Sequence, residues 1–195
     1  MVVGITGGIG SGKTSFSKRL MEAGYPVYNT DIEARRLQNT DKEVQKRIIA
    51  LLGENAYNGD VLNRQFVASV VFDNAGLLKK LNEIVHPAVR SDFRRWCSKL
   101  APDSIKFLEC AILFEGGFQA YTEKVIVITA DIETRIERVM TRDGINRNQV
   151  LARIQHQTST EDMLKYADIV VDTTQNDVST LDIQSIITRL QKTDE

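Results

Sequence analysis

Gly7, Gly12, Lys13 and Thr14 stand in the order Gly-x-x-x-x-Gly-Lys-Thr within the stretch GGIGSGKT. That spacing suits phosphate. Glycines let the backbone curl so that successive N–H groups point inward at oxyanions. A helix starting near Lys13 adds the positive end of its dipole. Lys13 supplies a mobile full charge for β- and γ-phosphates. Thr14 offers a hydroxyl to Mg²⁺, a cation that keeps several waters and takes few protein ligands. The predicted nucleotide contacts are Gly10, Ser11, Gly12, Lys13, Thr14 and Ser15, with Thr14 also the metal-side residue. The loop follows the apolar, β-branched VVGIT and precedes the helix-patterned KTSFSKRL, the strand–loop–helix context this Walker A pattern requires.

Small-molecule kinases, switch GTPases and motor or transporter ATPases all use such a loop. A switch GTPase needs a guanine-reading Asn-Lys-x-Asp segment, and the chain has none. The stretch DNAG, from Asp73 to Gly76, imitates another GTPase signature but falls between helical segments. A motor ATPase has an apolar strand ending in paired acids, of which FLEC, from Phe107 to Cys110, is a poor version. A short chain with a helical insert and an arginine-rich segment favours a kinase with a closing lid.

On the acceptor side, Asp31 lies just past the second strand, near the sheet edge where phosphates bind. It either orients an attacking hydroxyl and takes its proton, or caps the helix IEARRL. Arg138 and Arg142 are spaced i, i+4 and share a helical face, with Arg135, Arg147 and Arg153 nearby. They form a solvated basic face, or a lid that brings charge to the transferring phosphoryl group. His86 precedes Pro87 at a helix boundary and reads as structural more readily than catalytic. Glu115, before two glycines, holds substrate or is simply solvated.

The elements that position these residues form a βαβ unit, VVGIT–KTSFSKRLMEAG–YPVYNTD, and then some seventy residues of helical pattern. That is too much helix for one crossover and implies an inserted lobe. Thr40 and Glu43 are spaced as a capping box. Asn58-Gly59-Asp60 reads as a turn, and Pro87 as a helix start. Strand patterns resume at IKFLEC, KVIVIT and ADIVVD, with two arginine-rich helices around Gly144. Ser179 and Asp182 open the last helix as another capping box. The predicted architecture is α/β: a P-loop NTPase-type parallel sheet flanked by helices, with an inserted helical lobe and a helical lid. The core covers 1–30, 103–134 and 166–195, the lobe 31–102 and the lid 135–165.

With 195 residues, 42% hydrophobic, and a net charge of −1, the chain shows no general nucleic-acid or membrane surface. Any anion site must be local. Met1 runs directly into a strand pattern without a leader, and Cys97 and Cys110 lack metal-type spacing. Reduced cysteines and a cytoplasmic compartment are expected.

Together these segments resemble the dephospho-coenzyme A kinase family. The resemblance rests on GITGGIGSGKT, NTDIEAR, LNEIVHPAVR, AILFEGG, RVMTRDG, ARIQHQ and KYADIVVD, and covers nearly the whole chain. It implies ATP-dependent phosphorylation of the ribose 3′-hydroxyl of dephospho-CoA to give CoA and ADP, with Mg²⁺, in a monomer or weak homo-oligomer. Asp31 matches the catalytic aspartate, with Lys13 and Arg142 beside it in the reaction. Arg142 matches the lid arginine that reaches ATP phosphates, and Arg138 a neighbouring basic position. The helical lobe would grip the substrate, with His86 in it; His86, Arg64 and, outside the lobe, Glu115 are the expected substrate-binding residues. Three departures stand out: Asn29 replaces the first aspartate of an Asp-Ala-Asp segment, Ala111 replaces a proline, and DTTQND replaces an Asn-x-Gly loop.

Overall fold

The apolar runs that punctuate the two ends of the sequence become the strands of one parallel sheet. A computed structural model describes residues 1–72, 74–155, 157–175 and 181–192. Strand β1 (Val2–Thr6) leads through the glycine loop into α1 (Lys13–Glu22), and β2 (Val27–Asn29) follows. The chain then passes through α2 (Thr30–Thr40), α3 (Lys42–Leu52), the short strands β3 (Tyr57–Asn58) and β4 (Val61–Leu62), α4 (Arg64–Val71) and α5 (Ala75–Cys97). Strands β5 (Lys106–Glu109) and β6 (Lys124–Thr129) come next. Helices α6 (Ile132–Asp143), α7 (Arg147–Gln155) and α8 (Thr160–Leu164) precede β7 (Ile169–Asp172) and α9 (Ile183–Lys192).

The chain divides into two compact units, one made of residues 1–29 and those from 102 onward, the other of residues 30–101. In the first unit the sheet order is β2-β5-β1-β6-β7, and every pairing is parallel. Strand β5 and most of β1 and β6 are buried, which explains their apolar centres, with the charged Lys106, Glu109 and Lys124 confined to strand ends. Edge strand β7 instead alternates buried Ile169 and Val171 with exposed Val170 and Asp172. The core joins Val3, Ile5, Phe107, Ile126 and Ile128 to Phe16 and Leu20 of α1 and to Ile183, Ile186, Ile187 and Leu190 of α9. Buried Lys124 donates through Nζ to the Leu190 carbonyl at 2.9 Å, a charge placed where the α9 dipole is negative. A second, smaller core gathers Ile136, Val139 and Val150 of α6 and α7.

The second unit is helical apart from the β3–β4 hairpin, which turns at the expected Asn58-Gly59-Asp60. Asn39 and Gln45 fasten the hairpin. Asn39 Oδ1 accepts the Leu62 N–H at 2.8 Å, and Gln45 Nε2 donates to the Asp60 carbonyl at 3.2 Å. Arg36 of α2 pairs with Asp92 of α5 at 2.7 Å.

Local expectations need correction at two helix ends. Helix α3 is capped by Asp41, whose carboxylate accepts the N–H groups of Glu43 and Val44, and not by a Thr40–Glu43 box. Thr40 belongs to the preceding helix and donates its hydroxyl back to the Arg36 carbonyl at 2.9 Å. Pro87 does not start a helix, because α5 runs through it without a break in assignment. Proline forfeits one backbone hydrogen bond, but Ile84, Val85, Val89 and Phe93 are buried on either side of it, and that burial carries the helix across. Ser179 lies outside the described residues. Asp182 accepts the Ser185 N–H at 3.2 Å and serves the first turn of α9.

The cap gives a direct test. Asp41→Ala should lower unfolding free energy by about 1 kcal/mol in urea titrations. Thr40→Ala, as a surface change, should stay within about 0.5 kcal/mol of wild type.

Candidate active site

The glycine loop is held in a shape that side chains other than hydrogen would break. Gly10 has φ +80°, and a Cβ there would lie 2.5 Å from the Arg135 carbonyl oxygen. Gly12 precedes α1 with φ +93°, so the helix starts at Lys13 as its pattern predicts. Lys13 Nζ donates to the Gly7 and Gly8 carbonyls at 2.6 and 3.1 Å, which holds its charge against the loop. Ser11 is buried within the loop, and its Oγ has no hydrogen-bond partner among the described residues. A buried hydroxyl without a partner in a glycine loop fits a site that takes an oxyanion. Ser15 is exposed on the first turn of α1.

Thr14 donates its hydroxyl to Glu109 Oε1 at 2.9 Å, and Asn29 Nδ2 donates to Glu109 Oε2 at 2.6 Å. Glu109 is 6% exposed. Register explains the meeting: Asn29 and Ile5 both lie opposite Glu109, on β2 and β1, at the strand ends that lead into the loops. Sequence reasoning passed over Glu109 because a single acid in FLEC is a weak motif. The usable signal was one carboxylate ending a buried parallel strand. The donor set of Thr14 hydroxyl and Glu109 carboxylate is all oxygen, as Mg²⁺ prefers. No cluster of three or more His, Cys, Asp or Glu suited to a metal occurs among the described residues.

The arginines fare differently from one another. Arg138 donates to the Thr173 hydroxyl at 2.9 Å, the Thr173 carbonyl at 2.7 Å and the Gly10 carbonyl at 3.4 Å. Buried Thr173 in turn donates to the Ser11 carbonyl at 2.9 Å. Arg142 is exposed at the end of α6 and forks onto Asp143 at 2.7 and 3.2 Å. Arg153 pairs with the same Asp143 at 2.7 Å, and the two guanidinium groups hold that carboxyl below the usual range. Arg147 pairs with Glu133 through two bonds of 2.6 and 2.7 Å. Arg135 is buried against the loop, and burial lowers its pKa. Glu115 is exposed and accepts the Thr158 N–H at 2.7 Å, which ties the chain after β5 to the entry of α8.

The remaining candidates belong to the second unit. Asp31 is exposed in the first turn of α2, after Thr30, so it lies inside the helix rather than at the cap of IEARRL. Arg64 is the exposed first residue of α4, which Asn63 caps by accepting the Phe66 N–H at 3.2 Å. His86 is half-buried in α5, and its pKa is lowered, first by burial and then by the charge of Arg90.

A protein-family model described as dephospho-CoA kinase matches residues 1–182. A dephospho-CoA kinase of Salinibacter ruber is 39% identical over 181 residues, covering 90% of this chain and 91% of its own. One from Bacteroides fragilis is 36% identical over 169 residues, covering 87% of this chain and 82% of its own. A crystal structure from Thermus thermophilus superposes with a TM-score of 0.79 at 33% identity, covering 99% of this chain and 95% of its own.

His86 makes stability depend on pH. The unfolded chain binds its proton at the ordinary histidine value of about 6.5, the folded chain only lower. Its contribution is therefore complete above about pH 6.5 and is lost as pH falls toward the folded value. Thermal melts should show a smaller drop between about pH 7.5 and 5.5 for His86→Gln than for wild type.

Proposed function

This chain belongs to the dephospho-CoA kinase family, and from that premise we propose how its residues carry the reaction. It phosphorylates dephospho-CoA at the expense of ATP in coenzyme A biosynthesis. The observation that best supports the site assignment is the meeting of loop and strand ends, with Thr14 and Asn29 both on the buried carboxylate of Glu109.

Loop N–H groups from Gly10 to Ser15 and the Lys13 ammonium hold the β- and γ-phosphates. To do so, Lys13 exchanges its bonds to Gly7 and Gly8 for phosphate oxygens. The Ser11 hydroxyl gains its partner in the same event. Thr14 and Glu109 would hold a magnesium ion, which would supply charge neutralisation at the phosphate oxygens. Asn29 keeps Glu109 oriented toward that threonine. Asp31 orients the ribose 3′-hydroxyl and takes its proton. In a loose phosphoryl-transfer transition state the proton leaves late, so position matters more than base strength. Arg142 delivers charge to the transferring group from the exposed end of α6, exchanging Asp143 for phosphate. Arg138 stays near the loop, held by Thr173. The lobe 31–102 holds the acceptor, with His86 and Arg64 on its helices, and Glu115 supports substrate from the core. The chain acts on a small molecule in the cytoplasm, as a monomer or weak homo-oligomer: two thiol cysteines fit a reducing compartment, and a net charge of −1 offers no broad field to nucleic acid or an anionic membrane.

ADP release with ATP and Mg²⁺ should require dephospho-CoA and fail with AMP, uridine or gluconate. Lys13→Ala should abolish it. Asp31→Asn should lower kcat about 10²–10⁴-fold with the KM for ATP changed by less than about twofold. An Asp31→Asn enzyme with wild-type kcat and only a lower melting temperature would remove Asp31 from the chemistry.

Glu109→Gln should raise the Mg²⁺ concentration needed for half-maximal rate by about tenfold. The same shift should appear in the Mg²⁺ dependence of ADP binding by calorimetry, where no turnover is involved.

A further inference from the structure

Ile9 is the phosphate-loop residue that the segment from α6 to α8 grips most fully. Its N–H donates to Gln157 Oε1 at 2.8 Å, and its carbonyl accepts from Arg135 Nε at 3.0 Å. Its side chain packs against the small core of Ile136, Val139 and Val150. Both faces of one loop residue's backbone and its side chain are thus committed to a single neighbouring segment. The fit around it is close. A Cβ on Gly8 would collide with the Arg135 guanidinium, which is buried and also donates to Thr160 Oγ1 at 3.3 Å. Gln157 lies in the connection between α7 and α8, just before Thr158, whose N–H is held by Glu115.

A phosphate loop works only if its peptide planes are aimed, because N–H groups at fixed angles do the binding. Two of those planes, on either side of Ile9, are aimed by side chains from another part of the chain. If that segment moves away, it must break the Gln157 and Arg135 bonds and withdraw the apolar pocket that covers Ile9. Interfaces of this kind switch between discrete arrangements and do not deform smoothly. We infer that Ile9 and Gln157 are positioning residues that make loop shape and the placement of the α6–α8 segment one coupled equilibrium. Nucleotide favours the docked segment, and the docked segment favours nucleotide by the same factor. Arg142 rides on the exposed end of α6 within that segment, so phosphate occupancy governs where it stands. The inference rests on Gly7–Thr14 being the ATP loop and adds the residues through which that loop is controlled.

The test uses the full-length protein, ADP as probe, calorimetry for affinity, and limited trypsin cleavage after Arg147 and Arg153 for docking. Gln157→Ala should weaken ADP binding about tenfold. It should also leave the two cleavage sites exposed at ADP concentrations that saturate the variant, where wild type is protected. Ile9→Ala should do the same and Ile9→Val should restore most of both effects. Should Ile9→Ala not fold, Gln157→Ala, a change at a partly exposed side chain, carries the test. Wild-type ADP affinity and wild-type protection in Gln157→Ala would overturn the inference. Lys13→Ala separates the two levels: if it too binds ADP like wild type, the loop assignment itself is wrong. If it loses ADP while Gln157→Ala does not, only the coupling is wrong.

Discussion

The carboxylate of Glu109, shut away from solvent at the end of β5, accepts one hydrogen bond from Thr14 and one from Asn29. A buried acid is tolerated in such a place only when its oxygens are used. Here the donors come from the helix after the glycine loop and from the neighbouring strand. One acid therefore pins the start of α1 to the ends of β2 and β5. The sheet makes this possible, since parallel strands in the order β2-β5-β1 bring their C-terminal ends side by side. Glycine lets the loop curl, but the curl is useful only because its far end is anchored to that acid.

The same contact accounts for Asn29. A second carboxylate at that position would stand against Glu109, and two like charges in contact cannot both remain ionised without a cation. An amide supplies a donor instead. Asp31, two residues on, is exposed in the first turn of α2 together with Glu33, where the dipole favours a negative charge.

The arginine-rich region is less uniform than its composition suggests. Glu133 and Asp143 hold Arg147, Arg142 and Arg153 at the surface, where such pairs contribute little to stability and exchange partners readily. Arg135 and Arg138 face the loop instead and donate to its carbonyls. A charge run that reads as one basic face is two sets with different work. One is fixed and shapes the loop; the other is exposed and can be redirected.

The glycine loop between strand and helix, the strand segments and the helical stretch between them were legible in order and spacing, and the family in the likeness of its motifs. The local elements depend on contacts close in sequence: a glycine turn between strand and helix, a period of two or of 3.6, a run of buried β-branched residues. Asp41, one residue from the expected Thr40, and the uninterrupted helix across Pro87 were lost because burial and backbone competition outweigh local preference. Glu109 beside Thr14, Thr173 beneath Arg138, and Gln157 on Ile9 join residues 95, 35 and 148 positions apart. Only tertiary structure decides such pairings, because strand order and register, not sequence spacing, set which side chains converge at the loop.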